Sequence, residues 1–141
     1  MKAFLDTSSL IKLYHTEVGS DFVMNAISQD IREIFLSELA ILEFRSALWK
    51  KMREKEIKEN TAIEVIKCFQ NDGDNFHWIM LQSDIVESAS YLLMKYGNRG
   101  LRTLDSLQLA AALTLRDEEC VFLTSDKLLQ TFFKEEQLNI L

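Results

Sequence analysis

Short apolar runs alternate with amphipathic stretches along the chain, and this alternation predicts an α/β fold. Four segments have the compact apolar character of β-strands: KAFL (2–5), EIFLS (33–37), FHWIML (76–81) and VFLT (121–124). LNIL (138–141) is a further candidate. Between the strands, apolar residues recur at helical spacing, most extensively over 38–56. Strands that alternate with helices require crossover connections, so we expect an open, mostly parallel sheet with helices on both faces.

Capping and turn signals predict where several helices begin and end. Asp84 followed by Glu87 resembles a capping box, and the helix that it would open ends at Gly97. Thr103 is a plausible N-cap for the helix after the NRGLR loop. A helix near 61–70 should end at the NDGDN turn.

Length and composition indicate one globular domain. A chain of 141 residues fits a single core, so we expect one domain over 1–141. No apolar run approaches the roughly 20 residues that span a bilayer, and the N-terminus lacks a signal-peptide pattern. We therefore expect a cytoplasmic protein with no membrane association. Cys68 and Cys120 are the only cysteines, and we interpret both as buried small hydrophobes rather than disulfide or zinc residues.

The charge balance limits how the chain could bind nucleic acid. Its net charge of −6 argues against a protein that holds nucleic acid by bulk electrostatics, so such a role would depend on local features. Arg99 and Arg102 lie just before Asp105, Lys12 and Lys127 lie near Asp6 and Asp126, and a basic run ends the long helix at Lys50, Lys51, Arg53 and Lys55. For that run, a solvated helix end is the favoured interpretation over RNA contact.

Four acidic residues occupy positions that suggest a site. Asp6 follows KAFL and Asp126 follows VFLTS, and ligands bind beyond the carboxyl ends of parallel strands. Glu43 and Asp105 each share a helix face with apolar residues. Alone, Asp6 is better explained as an N-cap or turn residue, and Asp126 as a first-turn acid. Glu43 could pair with Arg45 or Lys50, and Asp105 could favour its helix N-terminus.

The four acids together favour a bound cation. A carboxylate that faces packed apolar surface is costly unless it is hydrogen-bonded or paired with a positive charge. We expect no Lys or Arg on those inward faces, which leaves a divalent metal as the partner. Oxygen ligands without nearby Cys or His select Mg²⁺ or Mn²⁺ rather than zinc.

The strings around these acids resemble a known family. FLDTSSLIKLY, LAILEFRSAL, LRTLDSLQLAAAL and FLTSDKLL are similar, in this order, to the four acidic motifs of PIN-domain nucleases. The resemblance covers essentially the whole chain, and its length is similar to that of the VapC-type toxins of prokaryotic toxin–antitoxin pairs. Ser106 and Gln108 depart from the pattern, since Ala and His are more usual there. These departures bear on substrate preference rather than on catalysis.

The resemblance implies a fold, a site and partners. It implies a three-layer α/β/α sandwich, and it assigns metal ligation to Asp6, Glu43, Asp105 and Asp126, with Thr7 and Ser125 as supporting hydroxyl residues. It also implies endonucleolytic cleavage of RNA, with tRNA as one candidate, neutralisation by a cognate antitoxin, and a homodimer.

Two other functional classes compete with a ribonuclease. A catalytically silent PIN-like module that binds RNA or protein would keep the fold, although four intact acids count against it. A phosphatase of the haloacid-dehalogenase type would carry a DxD pattern at the first strand end, where this chain has DTS. For a ribonuclease, a carboxylate cluster without a nucleophilic Ser or Cys dyad suits hydrolysis by a metal-activated water.

Overall fold

A single parallel sheet organises the molecule. The computed structural model describes all 141 residues. Its strands are β1 (Lys2–Leu5), β2 (Glu33–Ser37), β3 (His77–Ile79) and β4 (Cys120–Leu123). They lie in the order β3-β2-β1-β4, and every pairing is parallel. The chain therefore winds outward from β1 to β3 and then returns to the other side of β1, so the direction of winding reverses between β1 and β4.

Seven α-helices connect and flank the strands. They are α1 (Thr7–Leu10), α2 (Ser20–Ser28), α3 (Ala40–Arg53), α4 (Glu59–Asn71), α5 (Ser83–Tyr96), α6 (Thr103–Leu113) and α7 (Lys127–Glu135). Short 3-10 turns follow α1, α4 and α5, at Ile11–Leu13, Gly73–Asn75 and Gly97–Arg99. The candidate strand at 138–141 contributes a single parallel bridge, between Ile140 and Phe122. None of the helices combines the length and the apolar composition that crossing a bilayer requires.

The alternation of side chains along β1 divides the core into two halves. Ala3 and Leu5 pack with the layer formed by α1 to α4, whereas Phe4 packs with α5, α6 and α7 on the opposite face. Successive residues of a strand point to opposite faces of a sheet, so a central strand needs apolar residues at every position. All four residues of β4, at the end of the sheet between β1 and the Ile140 bridge, are also buried. The predicted three-layer α/β/α sandwich is confirmed.

The predicted N-cap position is wrong by two residues for α5 and by one residue for α6. Gln82 precedes α5 in an extended conformation without a side-chain cap, so Asp84 and Glu87 do not form the expected capping box. Arg102, also extended, precedes α6, which makes Thr103 the first helical residue rather than the N-cap. In both cases the helix begins N-terminal to the position at which the residue of the capping pattern could act as the N-cap.

The two cysteines have different environments. Cys120 is buried on β4, as expected, and neither cysteine forms a disulfide. Cys68 is exposed, which corrects the expectation that it is buried. It lies on α4 next to Phe69, which turns inward to the core, so the neighbouring position faces outward.

Candidate active site

The structure places the four sequence-predicted acids around one cleft at the carboxyl end of the sheet. Asp6 directly follows β1, and Asp126 lies just beyond β4, so both flank the point where the winding reverses. Glu43 comes from α3 in one helix layer and Asp105 from α6 in the other. The cleft has a volume of about 590 Å³. It therefore draws carboxylates from both helix layers and from the ends of the adjacent strands β1 and β4.

Asp6 is a fixed and almost fully buried carboxylate. It is 3% exposed, and it accepts hydrogen bonds from the Ser8 hydroxyl at 2.7 Å, the Ser9 N–H at 3.0 Å and the Thr124 hydroxyl at 2.6 Å. The pKa of Asp6 is raised from 3.8 to about 6, mainly by burial and to a smaller extent by the charge of Glu43, against the lowering effect of these donors. Near neutral pH this carboxylate is charged without a cation beside it.

Asp6 and Asp126 are also helix N-caps. Asp6 accepts from the Ser9 N–H at the start of α1, and Asp126 accepts from the Leu129 N–H at 2.9 Å at the start of α7. The structural interpretation of Asp6 as a cap is therefore correct. It does not exclude a second role, because a carboxylate has about four lone-pair sites and Asp126 Oδ2 accepts no hydrogen bond from the protein.

Glu43 is held by two neutral donors. The Thr7 hydroxyl donates to Glu43 Oε1 at 2.9 Å, and the Gln108 amide donates to the same oxygen at 2.7 Å. Gln108 also donates to the Thr7 hydroxyl at 3.1 Å. These contacts join α1, α3 and α6 across the top of the sheet. Glu43 does not pair with Arg45, which instead bonds the Ile41 carbonyl.

Asp105 is half-buried and makes no hydrogen bond. Burial raises its pKa, and the nearby charge of Asp126 raises it further, with a smaller contribution from Glu43. Arg102 opposes this shift, although it lies beyond ion-pair distance. Asp105 and Asp126 both line the cleft, and neither forms an ion pair with a basic residue.

Basic side chains reach the cleft, and Lys50 lies on the helix face of Glu43, which corrects the expectation that no Lys or Arg lies on that face. Three lysines line it: Lys12, Lys50 and Lys51. Lys51 pairs with Glu17 at 2.7 Å and with Glu56 at 3.4 Å, and Lys12 lies 3.9 Å from Glu17. Lys50 follows Glu43 by two helical turns on the same face of α3, and the sequence pattern did not separate this face from the core. None of the eight ion pairs in the structure includes any of the four acids.

The donor set of the cleft fits a hard divalent cation. Besides the carboxylates, the hydroxyls of Thr7, Ser8 and Ser125 line the cleft, and no His or Cys does. The carboxylates do not lie at metal-ligand distances from one another, since no group of three or more His, Cys, Asp or Glu side chains is close enough to hold one ion. Their mutual repulsion, which contributes to the raised pKa of Asp105, opposes a closer approach. The chemistry of the ligands is therefore suitable, and their final arrangement would depend on the ion.

Sequence reasoning missed the hydroxyl network that joins the two strand ends. Ser8 donates to Asp6 and accepts from the Ser125 N–H at 2.9 Å, and Ser9 and Ser125 share a hydrogen bond at 3.1 Å. The only signal was the run of hydroxyl residues beside each acid, in DTSS and LTSD. Thr7 contacts Glu43 and Ser125 lies on the cleft wall, so both predicted supporting residues are at the site.

Comparison with known proteins assigns the family. The model of the PIN domain family matches residues 3–132. The chain therefore belongs to the PIN domain family, which confirms the resemblance of its four acidic motifs. No curated protein sequence matches this chain.

Several solved structures are similar to this chain over most of its length. VapC20 from Mycobacterium tuberculosis, described as a toxin that cleaves the sarcin-ricin loop, is 14% identical with a TM-score of 0.69 over 92% of this chain and 94% of its own. VapBC2 from Rickettsia felis, bound to a DNA fragment from its promoter, is 12% identical with a TM-score of 0.65 over 100% and 98%. A toxin–antitoxin complex from Klebsiella pneumoniae is 20% identical with a TM-score of 0.61 over 84% and 83%. At these identities the likeness shows a shared fold.

Proposed function

We propose that the chain is a metal-dependent endoribonuclease that hydrolyses RNA phosphodiester bonds through an activated water, with Mg²⁺ or Mn²⁺ held by Asp6, Glu43, Asp105 and Asp126. The observation that supports the proposal is that these four carboxylates line one cleft and that none of the four has a basic partner, whereas Glu17 and Glu56 in the same cleft pair with Lys51. An unpaired charge in a half-buried site is unfavourable, so these groups favour a cation. When bound, such an ion lowers the pKa of a water molecule, neutralises the phosphate and stabilises the leaving oxygen.

We assign different roles in the proposed metal site to three of these carboxylates. Asp6 is immobilised by the hydroxyls of Ser8 and Thr124, so its position is set before any ligand arrives. Asp105 makes no hydrogen bond, which leaves both of its oxygens available to a cation. Asp126 keeps one oxygen free while its other oxygen caps α7. No His, Cys or nucleophilic dyad lines the cleft, so the proposal assigns no covalent intermediate.

The family and the similar solved structures support a proposed substrate and proposed partners. We propose RNA as the substrate, with tRNA or another structured RNA as the target class, and a role as the toxin of a VapBC-type pair. A cognate antitoxin and a homodimer belong to this proposal, as do a single nuclease domain over 1–141 and action in the cytoplasm. Neighbours named as toxins and as VapBC complexes support it.

The test is cleavage of purified total RNA and tRNA with Mg²⁺ or Mn²⁺. Wild type is compared with Asp6→Asn, Asp105→Asn and an EDTA control, and Asp117→Asn serves as a matched variant because Asp117 is exposed and outside the cleft. Circular dichroism checks that each variant folds. We expect cutting that needs the metal, is abolished by either cleft variant and is unchanged in Asp117→Asn.

Two outcomes would overturn the proposal. Cleavage that survives in both folded cleft variants would mean that the acids are not the catalytic site. Absence of cleavage on every RNA would favour the alternative of a silent PIN-like module that binds RNA or protein. A small antitoxin reading frame next to the gene would separately support the toxin role.

A further inference from the structure

Gln108 is the one buried amide that touches the acidic cleft. It lies on α6, one turn after Asp105, and is 2% exposed. Its side chain crosses from the α6 layer to the opposite layer, where it meets Thr7 and Glu43. The neighbours of Gln108 along the buried part of α6 are mostly apolar. A polar amide among them is unfavourable unless it has hydrogen-bond partners.

The hydrogen bonds of Gln108 fix which way its amide faces. The amide nitrogen has two N–H groups, and it donates to Glu43 Oε1 at 2.7 Å and to the Thr7 hydroxyl at 3.1 Å. With the amide reversed, its oxygen would lie against the Glu43 oxygen, and two acceptors would face each other. The carbonyl oxygen in the present orientation is buried without a hydrogen-bond partner in the protein. The amide is therefore oriented by the carboxylate, at the expense of its own oxygen.

The network leaves one oxygen of Glu43 free. Thr7 and Gln108 both donate to Oε1, and no protein group donates to Oε2. Fixing one oxygen limits the rotation of the carboxyl group, so the other oxygen is presented to the cleft in a restricted set of directions. Both donors are neutral, so they hold Glu43 without cancelling its negative charge. A Lys or Arg in the same place would compete with a cation.

We propose that Gln108 is a positioning residue that orients Glu43 for a divalent cation in the cleft. This inference rests on the proposed metal-dependent function and deepens it, since it assigns a role to a residue outside the acidic set. Gln108 acts through Glu43 and not on the substrate. Its loss should therefore weaken the metal site while leaving RNA binding at saturating metal unchanged.

The test measures Mn²⁺ affinity by isothermal titration calorimetry, together with RNA cleavage over a Mn²⁺ series. Gln108→Met keeps the length of the side chain and removes both donors. Outer-shell hydrogen bonds of this kind typically change metal affinity 10- to 100-fold, so we expect Gln108→Met to bind Mn²⁺ about tenfold more weakly. The KM for RNA at saturating Mn²⁺ should not change. Gln108→His can still donate a ring N–H over a similar reach, so it should recover most of the affinity.

Matched controls separate this proposal from a packing role. Ser106→Ala alters another buried polar residue of α6, whose hydroxyl bonds the Thr103 carbonyl, and should leave Mn²⁺ affinity unchanged. A folded Gln108→Met with wild-type Mn²⁺ affinity would overturn the positioning role while leaving the nuclease proposal intact. Equal weakening in Gln108→Met and Gln108→His, or in Ser106→Ala, would overturn it as well, because any change in α6 packing would then suffice. A wild type that neither binds Mn²⁺ nor cuts RNA would overturn both proposals.

Discussion

Replacing Asp6 by Asn should change how the stability of the metal-free protein depends on pH. Asp6 has a pKa of about 6 in the folded protein because it is buried, against 3.8 for an ordinary carboxyl group. The folded state therefore binds this proton more tightly than the unfolded state does. The resulting stabilisation is complete below pH 3.8 and is lost as the pH rises through 6.

The size of this effect follows from the shift. A change of about two pKa units corresponds to about 3 kcal/mol in total, and about 1.4 kcal/mol of it falls between pH 5.0 and pH 7.5 by the same linkage. Asn carries no titrating proton, so Asp6→Asn should lack this loss. The Asn side chain also disturbs the hydroxyl of Thr124, which now donates to the carboxylate. That cost does not vary with pH, so it cancels when the difference between the two proteins is compared at two pH values.

The assay is urea unfolding in EDTA at pH 5.0 and pH 7.5. We expect the free energy of unfolding of Asp6→Asn, relative to wild type, to rise by about 1 to 1.5 kcal/mol between the two pH values. Asp117→Asn, at an exposed position, should follow the wild type. A difference between Asp6→Asn and wild type that stays the same at both pH values would refute the argument that Asp6 is desolvated and without a cation.

Further substitutions test the two roles of Asp126, as a helix cap and in RNA cleavage, and the contact of Lys50 with RNA. Asp126→Ala removes the cap on the Leu129 N–H and should lower the free energy of unfolding by about 1 kcal/mol. Asp126→Asn should keep the cap and lose only RNA cleavage. Equal unfolding midpoints in urea for the two variants would contradict this separation of the two roles of Asp126. Lys50→Ala removes the one cleft lysine without an ion pair, so the slope of log Kd for single-stranded RNA against log salt should become shallower by about 0.7. Arg53→Ala alters the same basic run outside the cleft, and an equal change there in a filter-binding assay would mean that Lys50 contacts no phosphate.

Much of the fold could be predicted from the sequence because its signals are local. The apolar runs at β1 and β4 are buried on both faces, and this pattern is typical of strands in a parallel sheet that helices cover on both sides. The rule that ligands bind beyond strand carboxyl ends then selected Asp6 and Asp126. Glu43 and Asp105 were found by a different signal, an acid on an apolar helix face.

The remaining features depend on contacts between distant parts of the chain. The strand order, which places β4 beside β1, comes from long-range pairing that no local pattern contains. Lys50 and Lys51 were interpreted as part of a solvated helix end, although they line the cleft, because the sequence pattern does not show which helix face borders the cleft. Gln108 was noted only as a departure from the family pattern, although a polar residue inside an apolar helix was itself a signal that it has a partner.

Calorimetric titration of the wild type and Asp105→Asn with Mn²⁺ tests the central claim most directly. Asp105 makes no hydrogen bond, so its replacement by Asn should leave the fold intact and remove one charge from the cleft. We expect the wild type and Asp117→Asn to bind Mn²⁺ alike and Asp105→Asn to bind it at least about tenfold more weakly. Equal Mn²⁺ affinity in the wild type and Asp105→Asn, or no binding by the wild type, would contradict the assignment of these carboxylates to a metal site.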